Sequence, residues 1–336
     1  MSKTPAPIAV YGASGHTGKF VVAELRRRGL PVVAVGRSPA AGLTAEVPQR
    51  VAAFTDAAAL DRAFAGCALV INCAGPFLDS AAPIVEAALR AGASYIDVTA
   101  EQASAQATFE AYDHAAREAG VVVIPAAGFY GGLADLLASA LLGEDGSADS
   151  ITTAVALDHW WPTEGTRKTG ERNNVPRVAV EDGRLVPIAL PAQRRDWAFT
   201  EPYGAQQVVE LPFSEVITIR RHIAVASLHS YLGAKALDDV RDAAKPAPAA
   251  VDAQGRSAQR FEMEVIVQRG NVTRRAVARG QDIYAVSAPL VAEAAARILS
   301  PSFQRSGALA LGEAFEAAGF LQALTPEPLQ LNIDAR

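Results

Sequence analysis

Three glycines stand at a spacing that suits the binding of a diphosphate. Gly12, Gly15 and Gly18 follow the apolar run 8–11, which predicts a buried strand, and they lead into a helical apolar stripe from Phe20. In this setting the first glycine permits a tight turn, the second a close backbone approach, and the third the packing of helix on strand. The amides at the helix start then face the anion. The spacing departs from the commoner Gly-x-Gly-x-x-Gly pattern, and an ordinary strand-turn-helix connection is the alternative.

A basic residue stands where a dinucleotide-binding fold selects its cofactor. The second predicted buried strand, 31–36, leads directly into Arg37 and Ser38. An NAD-binding fold places an Asp or Glu about 20 residues beyond the glycines to hold the ribose hydroxyls. Here Arg37 offers a guanidinium to a 2'-phosphate and Ser38 offers a hydroxyl, so the sequence favours NADP. The alternative is that Arg37 is a solvated loop residue.

Side chains that could transfer a proton follow the fifth predicted strand. Tyr95, Asp97 and Glu101 fall at the end of this strand, which in an open parallel sheet is the ligand-binding edge, so they are the catalytic candidates. Capping of the helix that begins near residue 102 is the alternative for both carboxylates. Cys73 has no neighbouring base, which favours a buried structural thiol. With Cys67 as the only other cysteine, a four-cysteine zinc site is excluded, and we predict no metal.

Alternating strands and helices position these residues. Short apolar segments, each followed by a helical stretch, occur at 8–11, 31–36, 50–54, 68–72, 94–98 and 121–125. This alternation predicts an α/β fold with a doubly wound parallel sheet. Right-handed crossovers place the ends of the first and fourth strands side by side at the switch point of the sheet, where a dinucleotide binds.

Five motifs, in this order, resemble a known family. They are Gly12 to Gly18, Gly36-Arg37-Ser38, Asn72-Cys73-Ala74-Gly75-Pro76-Phe77, Tyr95 to Glu101, and Pro125-Ala126-Ala127-Gly128-Phe129. Over about the first 140 residues they resemble the NADP-binding Rossmann domain of the saccharopine dehydrogenase-like oxidoreductases, a group that includes trans-acting enoyl reductases. The resemblance implies an NADP cofactor. It implies cofactor-binding positions at Gly12, Ser14, Gly15, His16, Thr17, Gly18, Arg37, Ser38, Cys73, Ala74, Gly75, Pro76 and Phe77.

The second half of the chain predicts a different kind of sheet. Alternating polar and apolar residues predict strands of a mixed or antiparallel sheet at 151–157, 208–211, 216–219 and 223–226, and a hairpin at 261–267 and 272–278. Helices at 287–299 and 313–321 are predicted to return to the Rossmann domain. We therefore expect an NADP-binding domain at 1–130, an α+β substrate or dimerisation domain at 131–285, and C-terminal helices at 286–336.

Three further features of this half have two interpretations each. His159-Trp160-Trp161-Pro162 and the polar loop 163–174 form a lid or a dimer arm, although paired tryptophans more often anchor an interface or a core. Arg220-Arg221-His222 binds an acidic substrate or forms an exposed strand edge. Tyr231 and Lys235 match the Tyr-x-x-x-Lys spacing of short-chain reductases, in which the lysine lowers the pKa of the phenol, but they follow the second sheet and not the nucleotide-binding unit.

Composition narrows the class of protein. The chain has 336 residues and a formal net charge of −5, and it contains no long block of Lys or Arg, which argues against binding to nucleic acid. Residues 1–5 lead into a strand without an apolar signal core, and no run of about 18 apolar residues occurs, so we expect a cytoplasmic protein without a membrane span. The two cysteines fit a reducing compartment.

The sequence supports one leading function and two alternatives. The leading hypothesis is an NADP-dependent oxidoreductase that transfers hydride between the nicotinamide and a small carbonyl, imine or enoyl substrate bound between the domains. A homodimer is compatible with this function. A non-catalytic NADP-binding redox sensor with a protein partner is the first alternative, because no acid-base constellation stands out. An extended short-chain reductase that uses Tyr231 and Lys235 is the second.

Overall fold

The structure is a computed structural model that describes residues 6–39, 46–143 and 145–334. Residues 1–5, on which the expectation of no signal core depends, lie outside the described residues, as does Glu144 in the connection between the two halves. The described chain forms a parallel sheet and a mixed sheet, with helices packed on both.

The first half forms the predicted doubly wound sheet. Its strands are β1 (Ile8–Tyr11), β2 (Val32–Gly36), β3 (Gln49–Val51), β4 (Leu69–Asn72), β5 (Ser94–Asp97) and β6 (Val122–Ile124). Four helices cover its faces: α1 (His16–Arg27), α2 (Ala57–Phe64), α3 (Phe77–Arg90) and α4 (Gln102–Glu118). The strands run in the order β6-β5-β4-β1-β2-β3 and are all parallel.

The switch point of this sheet lies where the sequence predicts it. Tyr11 at the end of β1 is level with Val35 of β2 on one side and with Asn72 of β4 on the other. The chain leaves β1 toward β2 and returns to β4, so the loops after β1 and β4 diverge and leave a crevice. Strands β1, β4, β5 and β6 are buried along their whole length, which explains their near-continuous apolar sequence.

The second half forms a mixed sheet. Its strands are β7 (Ser147–Leu157), β8 (Val178–Glu181), β9 (Arg184–Pro187), β10 (Arg194–Ala198), β11 (Ala205–Glu210), β12 (Ala224–Gly233), β13 (Arg260–Arg269) and β14 (Val272–Gln281). The main order is β10-β11-β12-β7-β13-β14, in which only β7 and β12 pair in parallel. The predicted hairpin is confirmed as β13 and β14, with Gly270 and Asn271 at its turn.

Helices link the two sheets. A π-helical turn, Phe129–Leu133, follows β6 and continues as α5 (Ala134–Leu142). The mixed sheet carries α6 (Glu164–Arg172), α7 (Glu215–His222) and α8 (Ala234–Arg241). The hydroxyl of Ser214, just before α7, donates to the carbonyl of Thr99 beyond β5 at 2.9 Å, which ties the mixed-sheet half to the carboxyl edge of the parallel sheet.

The C-terminal segment contributes to both sheets. Helix α9 (Ser287–Ile298) packs on α1, as predicted for a segment that returns to the Rossmann domain. It is followed by β15 (Gly307–Ala308), α10 (Leu311–Ala314), α11 (Ala317–Gln322) and β16 (Gln330–Ile333). Strand β15 pairs with β6 as the seventh strand of the parallel sheet, whereas β16 pairs with β14 in the mixed sheet. One segment therefore closes an edge of each sheet.

Four element predictions differ from the structure. The segment 216–219 is predicted as a strand but lies in helix α7, so Arg220-Arg221-His222 form its last turn and not a strand edge. The polar loop 163–174 contains α6, whose Thr163 side chain caps the first turn by accepting from the amide of Thr166. The predicted helix 313–321 is two short helices, α10 and α11. The sequence predicts a helix from about Ala81 to Arg90, and the corresponding α3 begins four residues earlier, at Phe77.

No helix among the described residues combines the length and the apolar character that crossing a bilayer requires.

Candidate functional site

The glycine turn is built so that helix α1 can start directly against strand β1. Gly12 adopts a φ of +79°, which a residue with a side chain rarely adopts, and its carbonyl accepts from the amide of Gly15 at 2.9 Å. A Cβ on Gly18 would lie 2.1 Å from the Gly12 carbonyl oxygen. The third glycine of the motif is therefore required by the close contact between α1 and the turn, as its sequence role predicts.

The start of α1 is free to accept an anion. Gly15 is the N-cap residue, no side chain caps the helix, and the first turn contains no Asp or Glu. The amides of His16, Thr17 and Gly18 occupy the first turn of the helix, where a backbone N–H has no partner within the helix. The helix dipole adds partial positive charge at this position. These groups fit the diphosphate of a dinucleotide.

His16 supplies a second observation at this turn. Its Nε2 atom is buried and has no hydrogen-bond partner within residues 6–39, 46–143 and 145–334. Burial lowers the pKa of this imidazole, which keeps it neutral at pH 7. Its ring packs edge-on against Phe20 and Tyr284, with ring centroids 5.3 Å apart in both pairs. A buried neutral nitrogen at a helix N-terminus that has no partner within the described chain indicates that a bound ligand provides this partner.

Arg37 and Ser38 follow β2 and are exposed. In the described chain no hydrogen bond or ion pair holds the Arg37 guanidinium. The carboxylate of Glu164, on α6, lies close enough that Arg37 contributes to lowering its pKa, although Lys168 is the main cause. Arg37 is thus available to a 2'-phosphate at the position that the sequence predicts, and α6 lies nearby.

The turn after β4 forms the other wall of the crevice. The side-chain oxygen of Asn72 accepts from the amide of Ala74 at 3.0 Å, and the Ser80 hydroxyl donates to the Ala74 carbonyl at 2.6 Å. The Gly75–Pro76 peptide bond is cis. Cys73 is a structural thiol, because burial raises its pKa to about 12 and leaves it protonated at neutral pH.

The catalytic candidates Tyr95 and Asp97 belong to a buried network that supports this wall. The Tyr95 hydroxyl donates to Oδ2 of Asp97 at 2.9 Å and accepts from the Asn72 amide at 3.2 Å. Oδ1 of Asp97 accepts from the amides of Thr99 and Ala126. Burial raises the pKa of Asp97 to about 6 and that of Tyr95 well above its ordinary value. The network connects the ends of β4, β5 and β6.

Glu101, the third candidate, interacts with the next helix. Its carboxylate accepts from the amide of Phe77 at 2.7 Å and from that of Leu78 at 3.3 Å, which are the first amides of α3. Phe77, predicted as an apolar wall, is 8% exposed at this helix start. Burial raises the pKa of Glu101, and the two amides partly offset this rise. The carboxylate therefore caps α3, whereas the sequence suggested a cap for α4.

Helix α6 lies over the wall formed after β4. A Cβ on Gly75 would lie 3.1 Å from the Thr169 hydroxyl of α6. The Arg172 guanidinium pairs with the Asp79 carboxylate of α3 at 2.9 Å. At the other end of α6, the Thr166 hydroxyl lies 2.9 Å from the hydroxyl of Tyr284. Because these partners belong to both halves of the chain, α6 bridges the crevice.

A row of aromatic rings leads from the glycine turn into the mixed sheet. Tyr284 contacts His16, and its hydroxyl accepts from the Trp160 indole N–H at 2.9 Å. Trp160 lies 6.2 Å from the ring of Tyr130, which stacks at 4.0 Å on Phe213. Trp160 is 4% exposed, so of the two predicted roles it has that of a core anchor. Tyr130, Phe213 and Tyr284 were not predicted as site residues from the sequence, in which the glycines around Phe129-Tyr130 are the available signal.

The other sequence candidates have partners within the protein. The Tyr231 ring stacks on Trp197 in β10, whereas Lys235, in α8, donates to the carbonyl of Asp158 at 2.6 Å. Because one residue lies in a strand and the other in a helix, the single-helix arrangement of a short-chain reductase is not formed. His222 pairs with Asp135 at 2.7 Å. Among the described residues, no cluster of three His, Cys, Asp or Glu side chains is arranged to hold a metal.

The first half of the chain is similar to a known family of NADP-binding domains. Residues 8–124 match the family model described as the saccharopine dehydrogenase NADP binding domain. A bovine saccharopine dehydrogenase-like oxidoreductase is 28% identical over 227 residues, which cover 57% of this chain and 53% of that protein. A trans-acting enoyl reductase of Mycobacterium ulcerans is 26% identical over 179 residues, covering 48% and 43%. The chain thus spans about half the length of these curated relatives.

A solved structure shares the whole architecture. Saccharopine dehydrogenase (L-Glu forming) from Saccharomyces cerevisiae aligns with a TM-score of 0.68, over 98% of this chain and all of that one, at 13% sequence identity. At this identity the likeness establishes the fold alone, and it confirms the predicted combination of a Rossmann sheet with a second α+β sheet.

Proposed function

We propose that the protein is an NADP-dependent oxidoreductase, because residues 8–124 match the family model of the saccharopine dehydrogenase NADP binding domain. It transfers a hydride between the nicotinamide and a small carbonyl, imine or enoyl substrate bound between the two sheets. The observation that carries the proposal is the uncapped start of α1, packed through Gly18 against the turn after β1 at the switch point of the sheet.

The bound nicotinamide supplies the redox chemistry, and the protein supplies binding and orientation. The first amides of α1 hold the diphosphate, and Arg37 holds the 2'-phosphate. The turn at Gly75 and Pro76, fixed by Asn72 and Ser80, walls the crevice beyond β4.

Tyr95, Asp97 and Glu101 act in this proposal as positioning residues. Their hydrogen bonds hold the loops that line the crevice, and none of the three projects a group left without a partner. In this proposal, helix α6 and Trp160 cover the crevice and exclude water from it.

Cofactor binding provides the direct test of this function. We expect NADPH to bind more tightly than NADH, as measured by titration of the reduced cofactor's fluorescence. Arg37→Asp should reverse this preference, because the carboxylate repels a 2'-phosphate and accepts from ribose hydroxyls. Arg184→Asp, an equal charge change at an exposed position in β9, is the matched control. Equal weak binding of both cofactors, or none, would rule out the proposal.

Four further properties of the protein are part of this proposal. We propose a small-molecule substrate, a cytoplasmic location, a homodimer, and domain boundaries at 130/131 and 285/286. Light scattering after size-exclusion chromatography tests the dimer, and limited proteolysis tests the boundaries.

A further inference from the structure

The hydroxyl of Tyr284 holds the start of helix α6. It accepts from the Trp160 indole N–H at 2.9 Å and from the amide of Thr163 at 3.4 Å, and it lies 2.9 Å from the hydroxyl of Thr166. The two N–H donors occupy its acceptor sites, so its own hydrogen is directed to Thr166. Thr163 is the N-cap of α6 and accepts from the Thr166 amide. One phenol therefore contacts both residues that close the first turn of α6.

The same side chain packs on the glycine turn. The ring of Tyr284 meets the ring of His16 edge-on, with centroids 5.3 Å apart and planes at 86°. The fully buried Asp282 fixes the backbone here, because its Oδ1 accepts from the amides of Tyr284 and Ala285. Oδ2 of Asp282 accepts from the Ser257 amide at 2.7 Å. Tyr284 thus forms a direct and anchored link between His16 and α6.

His16 connects this link to the diphosphate site. It is the first residue of α1, and its Nε2 atom is buried without a hydrogen-bond partner in the described chain. Phe20 packs on the imidazole as Tyr284 does, edge-on with centroids 5.3 Å apart. A hydrogen bond from Nε2 to a diphosphate oxygen satisfies the buried nitrogen. Since two rings confine the imidazole, this bond also fixes the ring against Tyr284.

Helix α6 depends on polar contacts, because none of its residues is buried. In its middle, Arg167 donates to the carbonyl of Lys245 at 2.7 Å, and at its end Arg172 forms the exposed ion pair with Asp79. Polar contacts at a surface contribute little stability, so a small free energy separates the helix in place from the helix released. A ligand that fixes Tyr284 therefore shifts this balance toward the helix in place.

We propose that Tyr284 is a positioning residue that couples the binding of NADP at the glycine turn to the closure of α6 over the crevice, with His16 as the contact to the diphosphate. The inference rests on the proposed function, of which it uses only the binding of the cofactor. Such coupling is reciprocal: the bound cofactor stabilises α6, and α6 in place slows the loss of the cofactor. The crevice thus closes once the cofactor is bound.

Hydrogen–deuterium exchange followed by mass spectrometry tests the coupling on the full chain, with and without saturating NADP⁺. In the wild type we expect NADP⁺ to slow exchange in the glycine-turn peptide 12–20 and also in α6. The slowing in α6 should be about 3- to 10-fold, the value of one neutral hydrogen bond. Tyr284→Phe keeps the ring against His16 but removes the hydroxyl. It should retain the slowing at 12–20 and lose that in α6.

Two further variants interrupt the link on either side of Tyr284. His16→Phe keeps an aromatic ring but removes Nε2, so the slowing in α6 should disappear while saturating NADP⁺ still protects 12–20. Thr166→Val removes the hydroxyl that Tyr284 contacts and leaves Tyr284 itself intact. It should reduce the slowing in α6 even if Tyr284→Phe does not fold.

Tyr112→Phe is the matched control, because it removes a phenol whose hydrogen bond goes to Glu86 of α3. This variant should keep the full slowing in α6. Slowing in α6 that persists in both Tyr284→Phe and Thr166→Val would overturn the inference and show that the cofactor itself protects the helix. Protection of 12–20 without any in α6 of the wild type would overturn it as well, and would leave the proposed function intact. Absence of protection at 12–20 in the wild type would contradict the proposed function.

Discussion

Gly18 shows how one missing methyl group allows a binding site to form. Its backbone lies so close to the Gly12 carbonyl that a Cβ would sit 2.1 Å from that oxygen and 2.9 Å from Cα of Ala13. Neither contact can be relieved by rotating a side chain, since both involve backbone atoms. The residue therefore fixes the distance between α1 and β1.

Gly18→Ala should push α1 away from the turn and misplace the amides that we propose bind the diphosphate. We expect the NADPH affinity to fall at least about 10-fold and the free energy of unfolding to fall by about 1–3 kcal/mol, a typical cost of overpacking. Fluorescence titration and urea unfolding measure the two effects. Gly146→Ala is the control, because a Cβ there meets no atom within 4 Å. Normal NADPH binding by the Gly18→Ala protein would contradict this account.

Asp97 makes the stability of the protein depend on pH, and the sign of this dependence follows from its raised pKa. Its pKa is raised by burial from 3.8 to about 6 in the folded state. The folded state thus holds a proton that the unfolded state has released between about pH 4 and 6. The contribution of this group to stability is present below pH 4 and is lost as the pH rises to 6, by about 3 kcal/mol in total.

Asp97→Asn should remove this part of the pH dependence. The difference in the free energy of unfolding between wild type and variant, from urea titrations at pH 4 to 7, should change with pH only below about pH 6. Asp61→Asn, at an exposed surface pair in α2, should leave the pH profile unchanged. A difference that is constant from pH 4 to 7 would show that Asp97 does not titrate there.

Candidate site residues could be predicted from sequence where their spacing or their place after a strand marks them. Residues whose environment depends on tertiary packing could not be predicted in this way. The spacing of Gly12, Gly15 and Gly18 and the place of Arg37 after β2 are local properties of the chain. Tyr130 and Phe213 are 83 residues apart in sequence, and nothing local shows that their rings stack. Their environment exists only once α7 packs on the π-helical turn, where the Thr218 hydroxyl donates to the Gly131 carbonyl.

At the scale of elements, α6 is joined to α3 by an exposed ion pair. None of its residues is buried, and its ion pair from Arg172 to Asp79 joins side chains that are 55% and 36% exposed. An exposed pair of this kind is worth about 0–1 kcal/mol. Helix α6 can therefore separate from α3 at little cost, which suits an element that covers a cofactor.

Arg172→Gln should speed the release of NADPH about 2- to 5-fold while changing the free energy of unfolding by less than about 1 kcal/mol. Stopped-flow displacement measures the release rate. The charge-swapped double variant Asp79→Arg with Arg172→Asp should restore slow release if the pair acts through α6. Lys168→Gln is the control, because Lys168 pairs with Glu164 within the same helix. Equal release rates in all variants would show that α6 does not cover the cofactor.

Helix α7 explains the main error at this scale. Val216-Ile217-Thr218-Ile219 is a β-branched run, which is typical of a strand. In the structure all four residues are buried in a helix that packs against the π-helical turn, α4 and α5. The first part of α7 is buried on every side, although Arg220 and Arg221 near its end are exposed, so this part lacks the polar face and the periodicity that identify a helix in sequence. Helix α1, which has one buried face, keeps this periodicity: the sequence predicts a helical apolar stripe from Phe20, and the helix spans His16–Arg27.

At the scale of the whole molecule, α9 couples the unfolding of the two sheets, because it packs against elements of both. Leu290 is fully buried in it, and Glu293 pairs with Arg28 of α1 at 2.6 Å. At the start of α9, the Ser287 hydroxyl accepts from the Phe129 amide at 3.2 Å. The helix thus touches the glycine-turn helix and the turn after β6 at once.

Leu290→Ala should destabilise both sheets together by about 2–5 kcal/mol, the usual cost of such a core truncation. Trp160, Trp161 and Trp197 are the only tryptophans and all belong to the second half, so their fluorescence reports on the mixed sheet. The midpoint of unfolding followed by tryptophan fluorescence should fall in parallel with the midpoint followed by far-UV circular dichroism. Leu190→Ala, at a side chain that is 86% exposed, is the control. A fluorescence midpoint that stays in place would show that the halves unfold independently.

The two edge strands β15 and β16 also set the order in which this protein can mature during synthesis. The nucleotide-binding sheet is encoded first, and N-terminal segments usually fold first as the chain emerges. Yet its seventh strand comes from residues 307–308, and the last strand of the mixed sheet comes from residues 330–333. Until both have emerged, β6 and β14 each offer a row of unpaired backbone groups to other chains. A nascent chain paused before residue 307 therefore exposes the edges of both sheets.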